Sequence, residues 1–278
     1  MKPAAFDYLC PRTLDEALHA LASHGSDATV LAGGQSLMPM LSFRMLEPGF
    51  LVDINRIPGL DHIQQDGTHL RIGALARHAQ VMAHPLVTQH LPLLAQAMPH
   101  IAHAAIRERG SLGGSLCLAD PAAELPACML ALDARLLLRS QQGAREVAAA
   151  DFFQGLYQTA LAPGELLTEV RIPVPEAGSA MVFDEFSRRH GDYAMAGLAA
   201  WSHPASQRSR LVFLGCGDRP TRALRAEALL NARTPVPAYA TLRAAIDADL
   251  HPEADLQAQP DTKRHLATVL LQRAWPHL

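Results

Sequence analysis

Apolar and polar positions along the chain fall into stretches of two periods. Ala17, Leu18, Leu21 and Ala22 share one face of a 3.6-residue repeat; Thr13-Leu14-Asp15-Glu16 before them reads as a capping box, and Gly25 stops the helix. Tyr8-Leu9-Cys10-Pro11 is an extended lead-in, because the residue before proline avoids the α region, and residues 29–32 are a β-type run. The opening is therefore β-α-β, with its second strand entering a Gly-Gly pair. Residues 51–54 predict another strand, and residues 63–73 a hairpin around Asp66-Gly67. Helices are predicted over 76–83 and 91–98, both bounded by proline, and sheet strands over 130–138 and 144–148. Asp151-Phe152-Phe153 starts a short helix, and residues 166–172 alternate as a strand closing at Pro173.

Punctuation between these stretches sets the domain plan. Asn55-Arg56-Ile57-Pro58-Gly59 reads as a link between two lobes, about 1–57 and 58–175, and Pro173-Val174-Pro175-Glu176-Ala177-Gly178-Ser179 has the composition of a linker. Beyond it, residues 180–189, 194–202 and 209–216 predict three antiparallel strands, and 222–231, 238–248 and 262–275 predict helices packed on them. The expected fold class is mixed α/β (α+β): a two-lobed domain over 1–175 and a smaller domain over 179–278 with a three-stranded sheet and helices. A chain of 278 residues suits two such units.

Charge narrows the functional classes. With 24 Lys and Arg scattered among 27 Asp and Glu, for a net charge of −3, no basic stripe marks a nucleic-acid partner. The start of the chain lacks the apolar core of a signal peptide, and no run approaches the roughly 20 apolar residues of a membrane span. The expected location is the cytoplasm. Cys10, Cys117, Cys128 and Cys216 form no CxxC pair or ferredoxin spacing, so they read as small hydrophobes, with Cys117 close enough to the second glycine pair to line a cofactor cavity. Among the 14 histidines, His100 and His103 stand three apart, yet nothing completes a metal motif. No metal is expected on this chain.

The candidate chemistry lies in two glycine segments. Ala32-Gly33-Gly34-Gln35-Ser36 follows the second predicted strand, with Ser36 placed to cap a following helix; Ser111-Leu112-Gly113-Gly114-Ser115 is its later counterpart. Glycine turns beside hydroxyls let backbone N–H groups approach an anion, and two such turns suit a diphosphate. Neither segment reads as GxGxxG or GxxxxGK[ST], so a Rossmann or P-loop assignment is not supported. Downstream, Asp120 is placed to cap a helix with Pro121 in its first turn, which would set Asp120 and Glu124 on one face. Gly191-Asp192 is a turn signal that presents Tyr193 at the start of a strand.

Taken together, Ala32-Gly33-Gly34-Gln35-Ser36, Ile106-Arg107-Glu108-Arg109-Gly110-Ser111-Leu112-Gly113-Gly114 and Asp120-Pro121-Ala122-Ala123-Glu124-Leu125-Pro126 resemble the FAD-binding medium subunit of the molybdenum hydroxylases. That family includes carbon monoxide dehydrogenase, the xanthine dehydrogenase group, and bacterial nicotine, caffeine and quinoline dehydrogenases. The resemblance implies a PCMH-type FAD-binding domain followed by a C-terminal domain of the carbon monoxide dehydrogenase flavoprotein type. It implies FAD on this chain, with the diphosphate between Ala32, Gly33, Gly34, Gln35, Ser36 and Ser111, Gly113, Gly114, Ser115. Asp120 and Glu124 would contact the ribityl chain or flavin ring, Tyr193 would cover the ring, and Leu167 would touch it. Where the family commonly has Thr-Ile-Gly-Gly-Asn, this chain has Ser-Leu-Gly-Gly-Ser, which shortens the last side chain.

The implied partners are a large subunit carrying the molybdenum cofactor and a small subunit carrying two [2Fe-2S] clusters, assembled as a dimer of heterotrimers. No catalytic acid or base is required on this chain, because flavin exchanges electrons directly. Two other functions fit the residues: a self-contained FAD oxidoreductase of the same fold, and a non-catalytic nucleotide-binding or assembly protein.

Overall fold

The computed structural model describes residues 2–232 and 235–278; Met1, Arg233 and Thr234 lie outside the described residues. The first lobe runs β1 (Asp7–Leu9), α1 (Leu14–His24), β2 (Ala28–Leu31), α2 (Leu37–Ser42) and β3 (Phe50–Asp53). The β-α-β opening forms, but β3 inserts between β1 and β2 and runs parallel to both. Thr13 caps α1 through the Glu16 amide, whereas the Glu16 carboxylate accepts from Arg12 N rather than closing the expected box on Thr13. Ala17, Leu18 and Leu21 pack with Val52 and Ile54 into the lobe's own core.

The second lobe contains β4 (Ile63–Asp66), β5 (His69–Gly73), α3 (His78–Ala83), α4 (Pro85–His90), α5 (Pro92–Ala97), α6 (Ala104–Arg107), α7 (Leu112–Leu118) and α8 (Glu124–Ala131). It continues with β6 (Arg135–Ser140), β7 (Gly143–Ala148), α9 (Ala149–Phe152), β8 (Phe153–Gly155), β9 (Gln158–Thr159) and β10 (Leu166–Pro173). Five strands form an antiparallel sheet in the order β4-β5-β10-β6-β7. The predicted strand over 130–138 starts in a helix: Leu130 and Ala131 end α8, and the strand begins at Arg135 after Asp133 turns the chain at φ 58°. Apolar runs look alike in a buried helix and a buried strand, which is why periodicity joined them.

The C-terminal domain is β11 (Ala180–Phe186), β12 (Ala196–His203), β13 (Arg208–Leu214), β14 (Thr221–Arg222), α10 (Leu224–Asn231), α11 (Tyr239–Asp249) and α12 (Pro260–Ala274). Its sheet has four strands, not the expected three, because the 2-residue β14, too short to carry a period, joins β13. β12 and β13 are apolar on both faces for a physical reason: Leu198, Ala200, Leu211 and Phe213 face the helices, while Ala199, Val212 and Leu214 enter the main core of the second lobe. Gln96 fastens the two domains by donating to Met181 O at 3.3 Å and accepting from Phe183 N at 2.9 Å.

Candidate functional site

The first glycine segment is the turn between β2 and α2. Gly34 has φ +71°, a conformation that L side chains rarely adopt, and Gln35 Nε2 donates to Gly33 O at 2.9 Å, fixing the turn. The amides of Gly33, Gly34, Gln35 and Ser36 have no acceptor among the described residues. Ser36 stands at the helix entrance with αR backbone angles and no side-chain capping bond, so the expected cap does not form and its hydroxyl is left for another partner. Asn55 Nδ2 holds Ala32 O at 2.8 Å from the link between the lobes.

The second segment departs from expectation. Gly113 and Gly114 form no turn between a strand and a helix: they lie in the first turn of α7, capped by the Ser111 hydroxyl, which accepts from Gly114 N at 3.3 Å. The amides here are largely taken: Leu112 N donates to Ala76 O at 2.9 Å, Gly113 N to Ala74 O at 2.8 Å and Ser115 N to Ser111 O at 3.1 Å. What this segment offers a ligand is therefore the exposed Cα face of Gly114 and the half-buried Ser115, more than free N–H groups.

The four glycines divide into two pairs. A Cβ on Gly33 would lie 2.3 Å from Arg109 O, and one on Gly113 would lie 2.6 Å from Ala74 Cβ; both are small because another part of the chain packs against them. The first of these contacts also brings the two segments together. Arg77 reinforces it, donating from Nη1 to Arg109 O at 2.6 Å and from Nη2 to Asn55 Oδ1 at 2.6 Å. Asn55 and Arg77 were not read as functional from sequence; Asn55 sits in a stretch that carries only turn signals.

The acidic and aromatic candidates meet on the other side of α7. Ala119 takes φ +52°, after which Asp120 Oδ1 accepts from Ala122 N at 2.9 Å, so Asp120 closes a local turn and the helix α8 begins only at Glu124. The expected Asp120 cap with Pro121 in the first helical turn does not occur; Pro126 lies in that turn instead. Asp120 and Glu124 are both 7% exposed. Burial raises the Asp120 pKa against the opposing hydrogen bonds of Ala122 N, Tyr157 and Tyr193. Burial, helped by Glu185, pushes Glu124 up to about 8.

Tyr193 is 54% exposed and faces the Asp120 carboxyl; burial of its hydroxyl, and then the Asp120 charge, push its pKa up to about 12. It stands in the β11–β12 loop, short of the strand start expected for it. Gly191, at φ +89°, lets this loop rest on Ala102, whose carbonyl is held by Arg107 Nη1 at 2.7 Å. Tyr157 Oη donates to Asp120 Oδ2 at 3.2 Å and was missed from sequence. Glu185, on β11, has a side chain 1% exposed; His100 Nδ1 lies 3.3 Å from it without an aligned hydrogen bond. The His100 pKa is raised, chiefly by Glu185. Leu167 is 2% exposed within the main core, and burial holds the Cys117 thiol up at about 12, an unreactive form. Among the described residues no group of His, Cys, Asp and Glu could hold a metal ion.

Residues 4–175 match the family described as "FAD binding domain in molybdopterin dehydrogenase", and residues 181–278 match "CO dehydrogenase flavoprotein C-terminal domain". The chain belongs to the family of FAD-binding medium subunits of the molybdenum hydroxylases, which are oxidoreductases. It is 46% identical over 234 residues, 83% of this chain and 79% of the relative, to the 6-hydroxypseudooxynicotine dehydrogenase complex subunit alpha of Paenarthrobacter nicotinovorans. It is 35% identical over 279 residues, 99% of this chain and 97% of the relative, to the carbon monoxide dehydrogenase medium chain of Hydrogenophaga pseudoflava. A chain of the crystal structure of quinoline 2-oxidoreductase from Pseudomonas putida 86 superposes with a TM-score of 0.91 at 36% identity, covering 99% of this chain and 97% of that one.

The residues fit the cofactor this family implies. Four unpaired amides at a helix entrance suit a phosphate, Gly114 keeps an open face, and a buried carboxyl stands beside two half-exposed phenol rings.

Proposed function

We propose that this chain is the flavoprotein subunit of a heterotrimeric molybdenum hydroxylase, passing electrons from [2Fe-2S] clusters of a small partner through FAD to an external acceptor. A large partner carrying the molybdenum cofactor would oxidise the substrate, and the working form would be a cytoplasmic dimer of heterotrimers. The observation that carries this reading is the meeting of the two glycine segments at Gly33 and Arg109, with one set of amides left unpaired, in a chain matched along its length by medium subunits.

Bound FAD supplies a ring that accepts and returns electrons. The protein's part is to hold and orient it. Gly33, Gly34, Gln35 and Ser36 donate to the diphosphate, together with Ala32 as the turn's entry; Ser111, Gly113, Gly114 and Ser115 close the other side, with Ser111 and Gly113 acting through the cap and packing of α7. Asp120 and Glu124 bind the ribityl or ring polar atoms, Tyr193 covers the ring, and Leu167 contributes an apolar contact from the core. The boundary between the 1–175 and 179–278 units falls at Pro173–Ser179, in keeping with the loop between β10 and β11.

The test is an absorption spectrum of the chain purified from its source under mild conditions, with a gel of its companions. Flavin bands accompanied by a large and an iron-sulfur-containing small chain are expected. A yellow chain without companions that turns over an organic substrate alone would make it a self-contained oxidoreductase. A colourless chain that rejects added FAD would overturn both flavin readings.

A further inference from the structure

Tyr157 occupies a conformation that its own stability does not explain. The β8–β9 hairpin closes at the Gly155–Gln158 pair, leaving Leu156 and Tyr157 as its tip, and Tyr157 sits at φ +55°, a left-handed conformation disfavoured for a bulky L-residue. Glycine would serve there without strain. The tip also leaves Leu156 57% and Tyr157 54% exposed, so two large apolar side chains face water.

The hairpin beneath the tip is braced. Arg219 Nη1, from the C-terminal domain, donates to Gln154 O at 2.8 Å, and Arg145 Nη2 donates to Ala160 O at 2.7 Å. The strained residue is thus presented by a fixed support, and its hydroxyl is aimed at Asp120 Oδ2 at 3.2 Å. The same carboxyl is faced by Tyr193 from the other domain. One phenol donates to this buried carboxyl, a second faces it, and both residues are 54% exposed, so together they have ring surface to offer a flat partner.

We propose that Tyr157 is a second aromatic contact to the flavin ring, acting with Tyr193, and that Asp120 positions both phenols. This rests on the flavin reading above and deepens it. The strained tip holds the phenol beside Asp120 in the free protein, which lowers the ordering cost when the cofactor arrives. An electron-poor heteroaromatic ring stacks on phenol faces, and such stacking quenches flavin fluorescence.

Full-length wild type, Tyr157→Phe and Tyr157→Gly are compared by FAD titration, bound-flavin fluorescence and thermal unfolding of the cofactor-free forms. In Tyr157→Gly the relieved φ strain offsets the lost hydroxyl bond to Asp120, so it is expected to unfold close to the wild-type temperature, yet to bind FAD about fivefold to tenfold more weakly with brighter bound flavin. Tyr157→Phe keeps the ring, so quenching should persist while affinity falls less. Wild-type binding with unchanged affinity and fluorescence in Tyr157→Gly overturns this inference alone. A folded wild type that binds no FAD overturns the flavin reading, and this inference with it.

Discussion

At Gly33 and Gly114 the same residue type does opposite things. The Gly33→Ala methyl would fall 2.3 Å from Arg109 O, a backbone atom that moves only with its segment, so a loss of roughly 1–3 kcal/mol in stability is expected, together with loss of FAD. The Gly114→Ala methyl would meet the Ser111 hydroxyl at 2.9 Å and otherwise solvent. A helical Gly→Ala change gains up to about 1 kcal/mol, which offsets that contact. Urea unfolding should therefore separate the two variants, while FAD titration should show both weakened, Gly114→Ala because its new methyl stands on the ligand side. The motif pattern located both Gly-Gly pairs but could not divide their roles, since Arg109 and Ala74 are remote in sequence from the glycines they touch. Asp120 misled for a related reason: a local Asx turn and a helix cap ask for the same residue type, and here the turn forms first.

Periodicity served best where an element has one buried face, as in α1, and was least informative in short or fully buried helices. α8 is buried almost all round and so merged with the following strand, while α7 is a short helix whose first turn is Leu-Gly-Gly. Between these elements, the joint of the two glycine segments depends on a side chain that no pattern marks. Arg77 spans Asn55 Oδ1 and Arg109 O with the two arms of one planar guanidinium. Lysine has a single ammonium and cannot reproduce that fork. Arg77→Lys is expected to lose about 1–3 kcal/mol in denaturant titration and to weaken FAD, and Asn55→Ala should show the same direction with a smaller loss. If Arg77→Lys bound FAD as wild type, the inter-lobe bridge would have no part in shaping the diphosphate site.

The main core crosses from the second lobe into the C-terminal sheet through Phe183, Val212 and Leu214, and buried in that junction are charged groups from both sides. Glu124 opens α8; Glu185 faces it from β11, His100 follows α5 with the His190 ring 5.7 Å away, and Asp120, Asp184 and Cys128 complete the surroundings. The folded-state pKa of Glu124, about 8, lies above its ordinary 4.5, so the folded protein binds a proton there that the unfolded chain releases. Stability from this group is full below pH 4.5 and is lost as pH rises toward 8. His100 has the same sign, being raised above 6.5, whereas His78, lowered by burial to about 4, acts oppositely as pH falls below 6.5. His78 cancels when wild type is compared with Glu124→Gln, while His100, whose raised pKa Glu124 supports after Glu185, adds a smaller difference of its own. The glutamine variant, measured without cofactor, should gain on wild type progressively from pH 5 to pH 8 and then hold a constant lead, on the order of 5 kcal/mol. A lead independent of pH would mean that solvent reaches the Glu124 carboxylate in the folded state, and the junction would then rest on its apolar contacts and on hydrogen bonds such as those of Gln96.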